Sequence, residues 1–273
     1  MLDDLNRELE GFVHLKREAE VLEIRMVKPK VNAICRRFSR AMERAALYLQ
    51  HEPELRVGIL SSGNDKAFSA GMDFLEGTLE GEGAREAGAR EGGFGGITTL
   101  WSLKKPLIAA INAPAIGGGL ELALSCDLLL MADEASFQLP ELARGLLPDG
   151  GGLQRLPRRI PFHVATAMIW TGEPMTAAEA RHWGLVYRTA PRAELMDLAW
   201  AVARKIGRGA PLAQQAFKES LRFVDAMPDR EAMAMRGDSD ADLVNFRRML
   251  ASQDMIEGQR AFLEKREPRW QGR

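Results

Sequence analysis

The chain has few of the residues that build metal sites, disulfide frameworks and zinc-dependent catalytic centres. Its 273 residues include only two cysteines, Cys35 and Cys126, which lie far apart and form no CxxC pair. This spacing argues against a cysteine metal site and a disulfide framework, and it suits a reducing cytoplasm. The four histidines show no HExxH or clustered spacing, so the sequence predicts no metal ligands.

Excess charge and long apolar runs are also missing. The formal net charge is -1, which gives no global basic field to hold nucleic acid. A local basic run, Arg155, Arg158 and Arg159, predicts a solvated face or a local anion contact. No apolar run approaches the ~20 residues that span a bilayer, and the acidic N-terminus does not resemble a secretory signal. We expect a cytoplasmic protein with no membrane or nucleic-acid partner.

What the chain does contain is an alternation of strand and helix patterns up to about residue 190. The patterns predict a hairpin over 12–27, buried strands at 55–60, 106–112 and 127–132, a short strand from 185, and helices at 39–50, 98–103, 164–171 and 176–183. In the last helix, Thr176 is the expected N-cap and Glu179 completes a capping box. Beyond Arg192 the patterns are helical. We therefore predict an α/β core over 1–200 and a helical region over 201–273.

The stretch over 109–127, AAINAPAIGGGLELALSCD, is the most informative local segment. A short apolar run meets three glycines, Gly117 to Gly119, and a helical pattern with Glu121 in its first turn follows at once. A strand that feeds a glycine turn and a helix leaves backbone N–H groups pointing outward, where they can bind developing negative charge on an oxygen. The alternative is a tight turn whose glycines serve only packing.

The segment over 77–96 is rich in glycine, alanine, glutamate and arginine and poor in large apolar residues. This composition predicts a mobile surface loop or a frayed helix. Its position beside the candidate site leaves open both a lid and plain disorder.

Five ordered blocks of the sequence carry a family resemblance. They are AFSAGMDF at 67–74, KPLIAAINAPAIGGGLELALSCD at 105–127, ASFQLPELARGLLPDGGGLQRLPR at 135–158, TGEPMTAAEARHWGLV at 171–186 and IEGQRAFLEKREPRW at 256–270. With these blocks the chain resembles the enoyl-CoA hydratase/isomerase (crotonase) superfamily over nearly its whole length. Its segment at 92–106, GGFGGITTLWSLKKP, and its tail are most similar to the carnitinyl-CoA dehydratase branch.

The resemblance implies a crotonase-type ββα spiral core with a helical C-terminal trimerisation region, and an acyl-CoA hydro-lyase that needs no cofactor beyond the CoA of its substrate. By position, the amides of Met72 and Gly118 would form the oxyanion hole. The family often has alanine where this chain has Met72. Glu141 would move the proton at the α-carbon, and Glu121 would orient and activate water at the β-carbon. One of these glutamates should titrate high and the other low.

Asp149 leaves several roles open. Some family members have glycine at this position, whereas isomerases and a dehalogenase of the family use an acid near it. The carboxylate could therefore serve isomerase or other enolate chemistry, bind a cationic acyl tail such as a trimethylammonium group, or cap the helix that follows.

The same resemblance implies the CoA-binding residues and the oligomeric state. Val31, Ala33 and Ala70 would line the groove for the CoA moiety, and Phe262 and Lys265 would reach the CoA of a neighbouring subunit. The family's usual state predicts a homotrimer or a dimer of trimers. A third class is a non-catalytic RNA-binding homologue, which the near-neutral net charge argues against.

Overall fold

The computed structural model describes residues 2–77, 91–225, 227–235 and 243–273. The loop predicted over 77–96 therefore lies mostly outside the described residues.

The larger of two sheets has six strands. They lie in the order β1 (Val13–Glu18), β2 (Val21–Met26), β3 (Val57–Ser62), β4 (Leu107–Ile111), β6 (Leu128–Ala132) and β9 (Arg188–Ala190). β1 and β2 form the predicted antiparallel hairpin, and the remaining neighbours pair in parallel. β3 and β4 are buried at every position, as expected for parallel strands covered on both faces.

The smaller sheet has three short strands, β5 (Ala115–Ile116), β7 (Ser136–Gln138) and β8 (Met175–Thr176). β5 follows β4 and β7 follows β6, and an isolated bridge pairs Ser69, downstream of β3, with Ala115. Successive turns of the chain thus give one strand to each sheet before entering a helix. This is the ββα spiral that the resemblance implies, and the α/β class is confirmed.

Helices cover the sheets and form most of the C-terminal region. They are α1 (Leu2–Glu8), α2 (Arg36–His51), α3 (Phe74–Gly77), α4 (Gly118–Leu124), α5 (Gly152–Arg159), α6 (Phe162–Thr171), α7 (Ala177–His182), α8 (Leu195–Gly207), α9 (Pro211–Val224), α10 (Asp229–Ala234), α11 (Val244–Leu250) and α12 (Gln253–Leu263). The apolar stripe of α2, with Phe38, Met42 and Leu49, is fully buried in the core. The capping box of Thr176 and Glu179 at the start of α7 is confirmed.

The helix predicted over 98–103 is wrong. The chain forms a short 3-10 helix at Phe94–Gly96 and then turns as far as residue 102. The Thr99 amide donates to the Gly92 carbonyl at 3.2 Å and the Trp101 amide to the Thr99 carbonyl at 2.8 Å, so neither forms the bond to the carbonyl four residues back that an α-helix requires. The Thr98 hydroxyl donates a hydrogen bond to the carbonyl of Phe94 at 2.7 Å. Such local side-chain bonds compete with the helical ladder.

The proposed division at residue 200 falls inside α8. Leu195, Ala199 and Ala203 on this helix are fully buried, and α8 contacts β3, β4 and β6. Beyond α8, helices are the only regular elements in the part of the chain that the structure describes. None of the described helices is long and apolar enough to cross a bilayer.

Candidate active site

Three loops converge because they leave the smaller sheet at one edge. The segment after Ser69, the turn after β5 and the loop after β7 all follow strands that run in parallel. The amide of Ile116 donates to the Ser69 carbonyl at 3.0 Å, and that of Gly117 donates to the Gln138 carbonyl at 2.8 Å. The carboxyl ends of parallel strands are a recurrent place for ligand binding in α/β proteins.

A cavity of about 260 Å³ lies at this edge. All five residues predicted to be catalytic line it, namely Met72, Gly118, Glu121, Glu141 and Asp149. Three loop residues and two residues of α4 thus meet around a space large enough for the reacting part of a small acyl group.

The amides of Met72 and Gly118 belong to two turns in close contact. Gly71 has a φ of +81°, and a Cβ there would lie 2.9 Å from the Gly118 nitrogen. The flanking amide of Asp73 donates to the Ile34 carbonyl at 2.9 Å. In the described residues, the amides of Met72 and Gly118 have no hydrogen-bond acceptor. Gly118 also begins α4, so the helix dipole adds positive potential there.

Glu121 lies in the first turn of α4 with a side chain that is almost wholly buried. Its Oε1 accepts a hydrogen bond from the Gly152 amide at 2.9 Å. Its Oε2 lies against Gly150, because a Cβ added to Gly150 would be 2.7 Å from this oxygen. Burial raises the pKa of Glu121 to about 7, and the charges of Glu141 and Asp149 add to the rise while the Gly152 amide opposes it.

Glu141 approaches the same cavity from the loop after β7. Its Oε1 lies against Gly117, because a Cβ added to Gly117 would be 2.8 Å from this oxygen. Its Oε2 is buried and has no hydrogen-bond partner among the described residues. Burial raises the pKa of Glu141, Arg144 lowers it and Asp149 raises it further. The structure therefore shifts both glutamates upward, and the expected split of one high and one low pKa is wrong.

Asp149 lies at the exposed end of the cavity, in the turn that precedes α5. Its amide donates to the Leu147 carbonyl at 2.9 Å. The first position before α5 is Gly151, and no side chain caps this helix. The helix-capping role that the sequence left open for Asp149 is therefore not what the structure shows.

Phe94 is a site residue that the sequence patterns did not identify. Its ring lies close to both Gly118 and Gly150. A Cβ added to Gly118 would be 2.5 Å from the ring, and a Cβ added to Gly150 would be 3.2 Å from it. The ring therefore forms a wall of the cavity beside both turns. The turn that carries it packs tightly on α2, since a Cβ on Gly96 would lie 2.1 Å from the Ser39 carbonyl. The signal in the sequence was an aromatic followed by two glycines.

The predicted CoA residues divide into two groups. Ala70 lines the cavity, and its amide donates to the Val31 carbonyl at 3.0 Å. Val31 and Ala33 are partly exposed on the segment that leads into it. Phe262 is 81% exposed, and neither it nor Lys265 lines the cavity of its own chain. Their contact with a neighbouring subunit's CoA stays a prediction.

The basic run of α5 turns away from this cavity. Arg155 is partly buried, donates to the Thr98 carbonyl and lies 5.9 Å from the ring centre of Trp101. Arg159 donates to the Cys126 carbonyl at 3.3 Å. Arg155 is therefore held by internal contacts, whereas Arg158 and Arg159 are exposed, as expected for a solvated face. The alternative of an anion contact stays a prediction.

Comparisons with known proteins agree with this arrangement. The family model for enoyl-CoA hydratase/isomerase matches residues 16–273. The chain is 44% identical over 261 residues to a carnitinyl-CoA dehydratase from Salmonella paratyphi A, covering 96% of this chain and 98% of the relative.

Solved structures give the same result. An enoyl-CoA hydratase from Mycobacterium tuberculosis H37Rv superposes with a TM-score of 0.86 at 35% identity, covering 97% of this chain and 100% of the other. An enoyl-CoA hydratase from Bacillus anthracis superposes with a TM-score of 0.83 at 30% identity, covering 96% of this chain and 99% of the other. The chain belongs to the enoyl-CoA hydratase/isomerase family.

Proposed function

We propose that this protein is a hydro-lyase that reversibly adds water to the α,β double bond of a short acyl-CoA thioester. One observation carries the proposal: the buried Glu121 of α4 and the half-buried Glu141 of the loop after β7 line one cavity, together with two backbone amides that have no acceptor in the described residues. Addition of water to an enoyl thioester needs these groups, namely a base, an acid and donors for the oxygen on which charge develops.

The amides of Met72 and Gly118 would bind the thioester oxygen. When water adds to the β-carbon, the electron pair of the double bond moves through the α-carbon onto this oxygen and forms an enolate. Both residues line the cavity and neither amide has an acceptor in the described residues, so the donors would need little reorganisation as the charge develops. Loss of one such donor typically costs about 10²–10³ in rate.

The two glutamates would divide the proton transfers. Glu121 takes a proton from the water as its oxygen bonds to the β-carbon, and Glu141 gives a proton to the α-carbon as the enolate collapses. Elimination runs the same steps in reverse. General acid and base groups work best when their pKa lies near the working pH. The upward shifts of both carboxyl groups, to about 7 for Glu121, support this role.

Carnitinyl-CoA and its dehydration product, crotonobetainyl-CoA, are the substrates we propose. The proposal draws on the 44% identity to a carnitinyl-CoA dehydratase over 96% of the chain. The two carboxyl groups and two amides suffice for the reaction, so we propose that it uses no cofactor beyond the CoA of the substrate. The exposed apolar side chains of Ile256, Phe262 and Leu263 on α12 support assembly into a trimer or a dimer of trimers.

A second candidate is isomerase or other enolate chemistry, favoured by the presence of Asp149 on the cavity wall. In that case Asp149→Asn would abolish turnover of an enoyl-CoA while Glu121→Gln retained much of it. The opposite pattern would support hydration.

The test is a hydration assay with a panel of enoyl-CoA thioesters, crotonobetainyl-CoA included, that follows the loss of enoyl absorbance. We expect wild-type protein to hydrate at least one thioester and Glu141→Gln to lose activity by about 10²–10⁴. Glu173→Gln, which changes an exposed glutamate, is the matched control and should retain wild-type rates. An unchanged rate in Glu141→Gln would refute the assignment.

A further inference from the structure

A mostly buried ion pair lies next to the proposed oxyanion hole. The Lys28 Nζ is 2.6 Å from the Asp73 Oδ2, and the two side chains are only 13% and 14% exposed. Taking two charges out of water costs free energy that their mutual attraction often does not recover, so stability alone does not explain such a pair. Asp73 directly follows Met72 in the chain and lines the same cavity. The position of the pair therefore points to a task at the site.

The backbone around Met72 has a fixed direction. Ile34 and Met72 form an isolated parallel bridge. In this bridge the Ile34 amide donates to the Gly71 carbonyl at 2.7 Å, and the Asp73 amide donates to the Ile34 carbonyl at 2.9 Å. Successive N–H groups of an extended segment point to opposite sides. Because the Asp73 amide points toward Ile34, the Met72 amide points away from it.

The ion pair joins the same two segments through their side chains. Lys28 lies upstream of Ile34, and its carbonyl accepts a hydrogen bond from the Asn32 amide at 3.3 Å in the turn before the bridge. The other oxygen of Asp73, Oδ1, accepts a hydrogen bond from the Leu75 amide at 3.1 Å. Both oxygens of this carboxylate thus have donors, and the carboxylate holds the residue after Met72 against Lys28.

We propose that the ion pair of Lys28 and Asp73 positions the Met72 amide for the thioester oxygen. This inference rests on the proposed hydro-lyase function, and both are positioning residues because they act through the Met72 backbone. Loss of either partner leaves a buried charge unpaired, and the segment must move to bring that charge to water. Complete loss of an oxyanion-hole donor typically costs about 10²–10³ in rate, so a displaced donor should cost about 10–100-fold.

The first measurement is kcat and KM for the enoyl-CoA thioester that wild-type protein hydrates fastest. Lys28→Met and Asp73→Asn should each lower kcat about 10–100-fold with KM within about threefold. Lys28→Arg, which keeps the ion pair, should retain most of kcat. If the charges instead acted directly on the oxyanion, Lys28→Met would lose rate and Asp73→Asn would gain it. Such opposite changes, or an unchanged kcat in both variants, would overturn the positioning role.

The second measurement is the infrared stretch of the thioester carbonyl in bound butyryl-CoA, labelled with ¹³C at that carbonyl. This saturated thioester has no double bond to hydrate. Two aligned donors polarise the carbonyl, so its frequency should fall when it binds wild-type protein. The fall should be smaller in Lys28→Met and Asp73→Asn at concentrations that saturate each protein. An equal fall in wild type and both variants would overturn the inference.

Asp127→Asn is the matched control for the loss of a buried pair. Asp127 also pairs with a mostly buried lysine, Lys218, at 2.7 Å and accepts a hydrogen bond from the Leu107 amide, but it lies outside the residues that line the cavity. Asp127→Asn should therefore leave kcat and the carbonyl frequency unchanged even where it lowers stability. Losses in Asp127→Asn equal to those in Asp73→Asn would show a general effect and overturn the inference.

The two measurements also separate this inference from the proposed function. Wild-type protein that hydrates no enoyl thioester would refute the hydro-lyase. The carbonyl frequencies of bound butyryl-CoA would still decide the inference, because a smaller fall in both variants supports the positioning of the Met72 amide and an equal fall refutes it.

Discussion

Two buried glutamates with similar exposure have different surroundings in this molecule. Glu121 in the cavity is 5% exposed, and Glu219 on α9 is 3% exposed. The Glu219 carboxylate accepts hydrogen bonds from the Asn245 amide at 2.7 Å, the Asn245 side chain at 2.8 Å and the Phe246 amide at 3.2 Å. The Glu121 carboxylate accepts one from the Gly152 amide at 2.9 Å, and its other oxygen lies against Gly150, whose amide also lowers the pKa of this carboxyl group.

The difference separates a structural carboxylate from a reactive one. Glu219 satisfies the free N–H groups in the first turn of α11 and thereby joins α9 to α11. Glu121 keeps capacity for a water or a proton. So does Glu141, whose buried Oε2 has no hydrogen-bond partner in the part of the chain that the structure describes. Burial alone therefore does not mark a functional carboxyl group, whereas burial combined with unfilled hydrogen-bonding capacity beside a cavity does.

The largest expected effect is on turnover. Glu121→Gln keeps the acceptor for the Gly152 amide but removes the base, so we expect kcat for hydration to fall by about 10²–10⁴. Glu219→Gln, the matched change at the structural site, should leave kcat within threefold. Steady-state kinetics on one enoyl-CoA would measure both, and comparable losses would remove the distinction between the two glutamates.

The next effect is on stability. Glu219→Ala leaves the amides of Asn245 and Phe246 buried without an acceptor, so we expect the free energy of unfolding to fall by about 2–4 kcal/mol. Chemical denaturation followed by circular dichroism would measure it. The control is Glu173→Ala on the surface, for which we expect a change within about 0.5 kcal/mol. If Glu219→Ala changes the free energy of unfolding no more than the control does, Glu219 does not stabilise the contact between α9 and α11.

A smaller effect concerns pH. The pKa of Glu121 is raised from 4.5 to about 7, so the folded state holds its proton more tightly than the unfolded chain. Its contribution to stability is complete below about pH 4.5 and is lost as the pH rises through about 7. The loss is at most about 3 kcal/mol. Between pH 5 and pH 8, the free energy of unfolding should decline less steeply with pH in Glu121→Gln than in wild type. Equal declines in the two proteins would contradict the raised pKa of Glu121.

The contrast also shows what the sequence could predict. The capping box of Thr176 and Glu179 and the buried strands depend on neighbours in the chain, and these predictions were confirmed. The helix over 98–103 was wrong because the Thr99 amide donates to the Gly92 carbonyl, in a turn packed on α2, and not to a carbonyl four residues back. Local patterns cannot report such long-range packing.

For the site residues, too, the sequence patterns identified those whose role depends on neighbours in the chain and missed one that depends on long-range contacts. Gly118 and Glu121 stood out because they lie within one strand, glycine turn and helix pattern. Glu141, twenty positions after Glu121, entered only through the family resemblance. Phe94 was missed because its contacts with the turns at Gly118 and Gly150 join segments remote in sequence.

The central claim is that Glu121 and Glu141 act as one unit on one substrate, and a double-mutant cycle tests it most directly. The measurement is kcat for hydration in wild type, Glu121→Gln, Glu141→Gln and the double variant. Residues that act as a unit give strongly non-additive losses. We predict that the double variant loses no more than about tenfold beyond the weaker single variant. Losses that multiply in full would show independent roles and contradict the account.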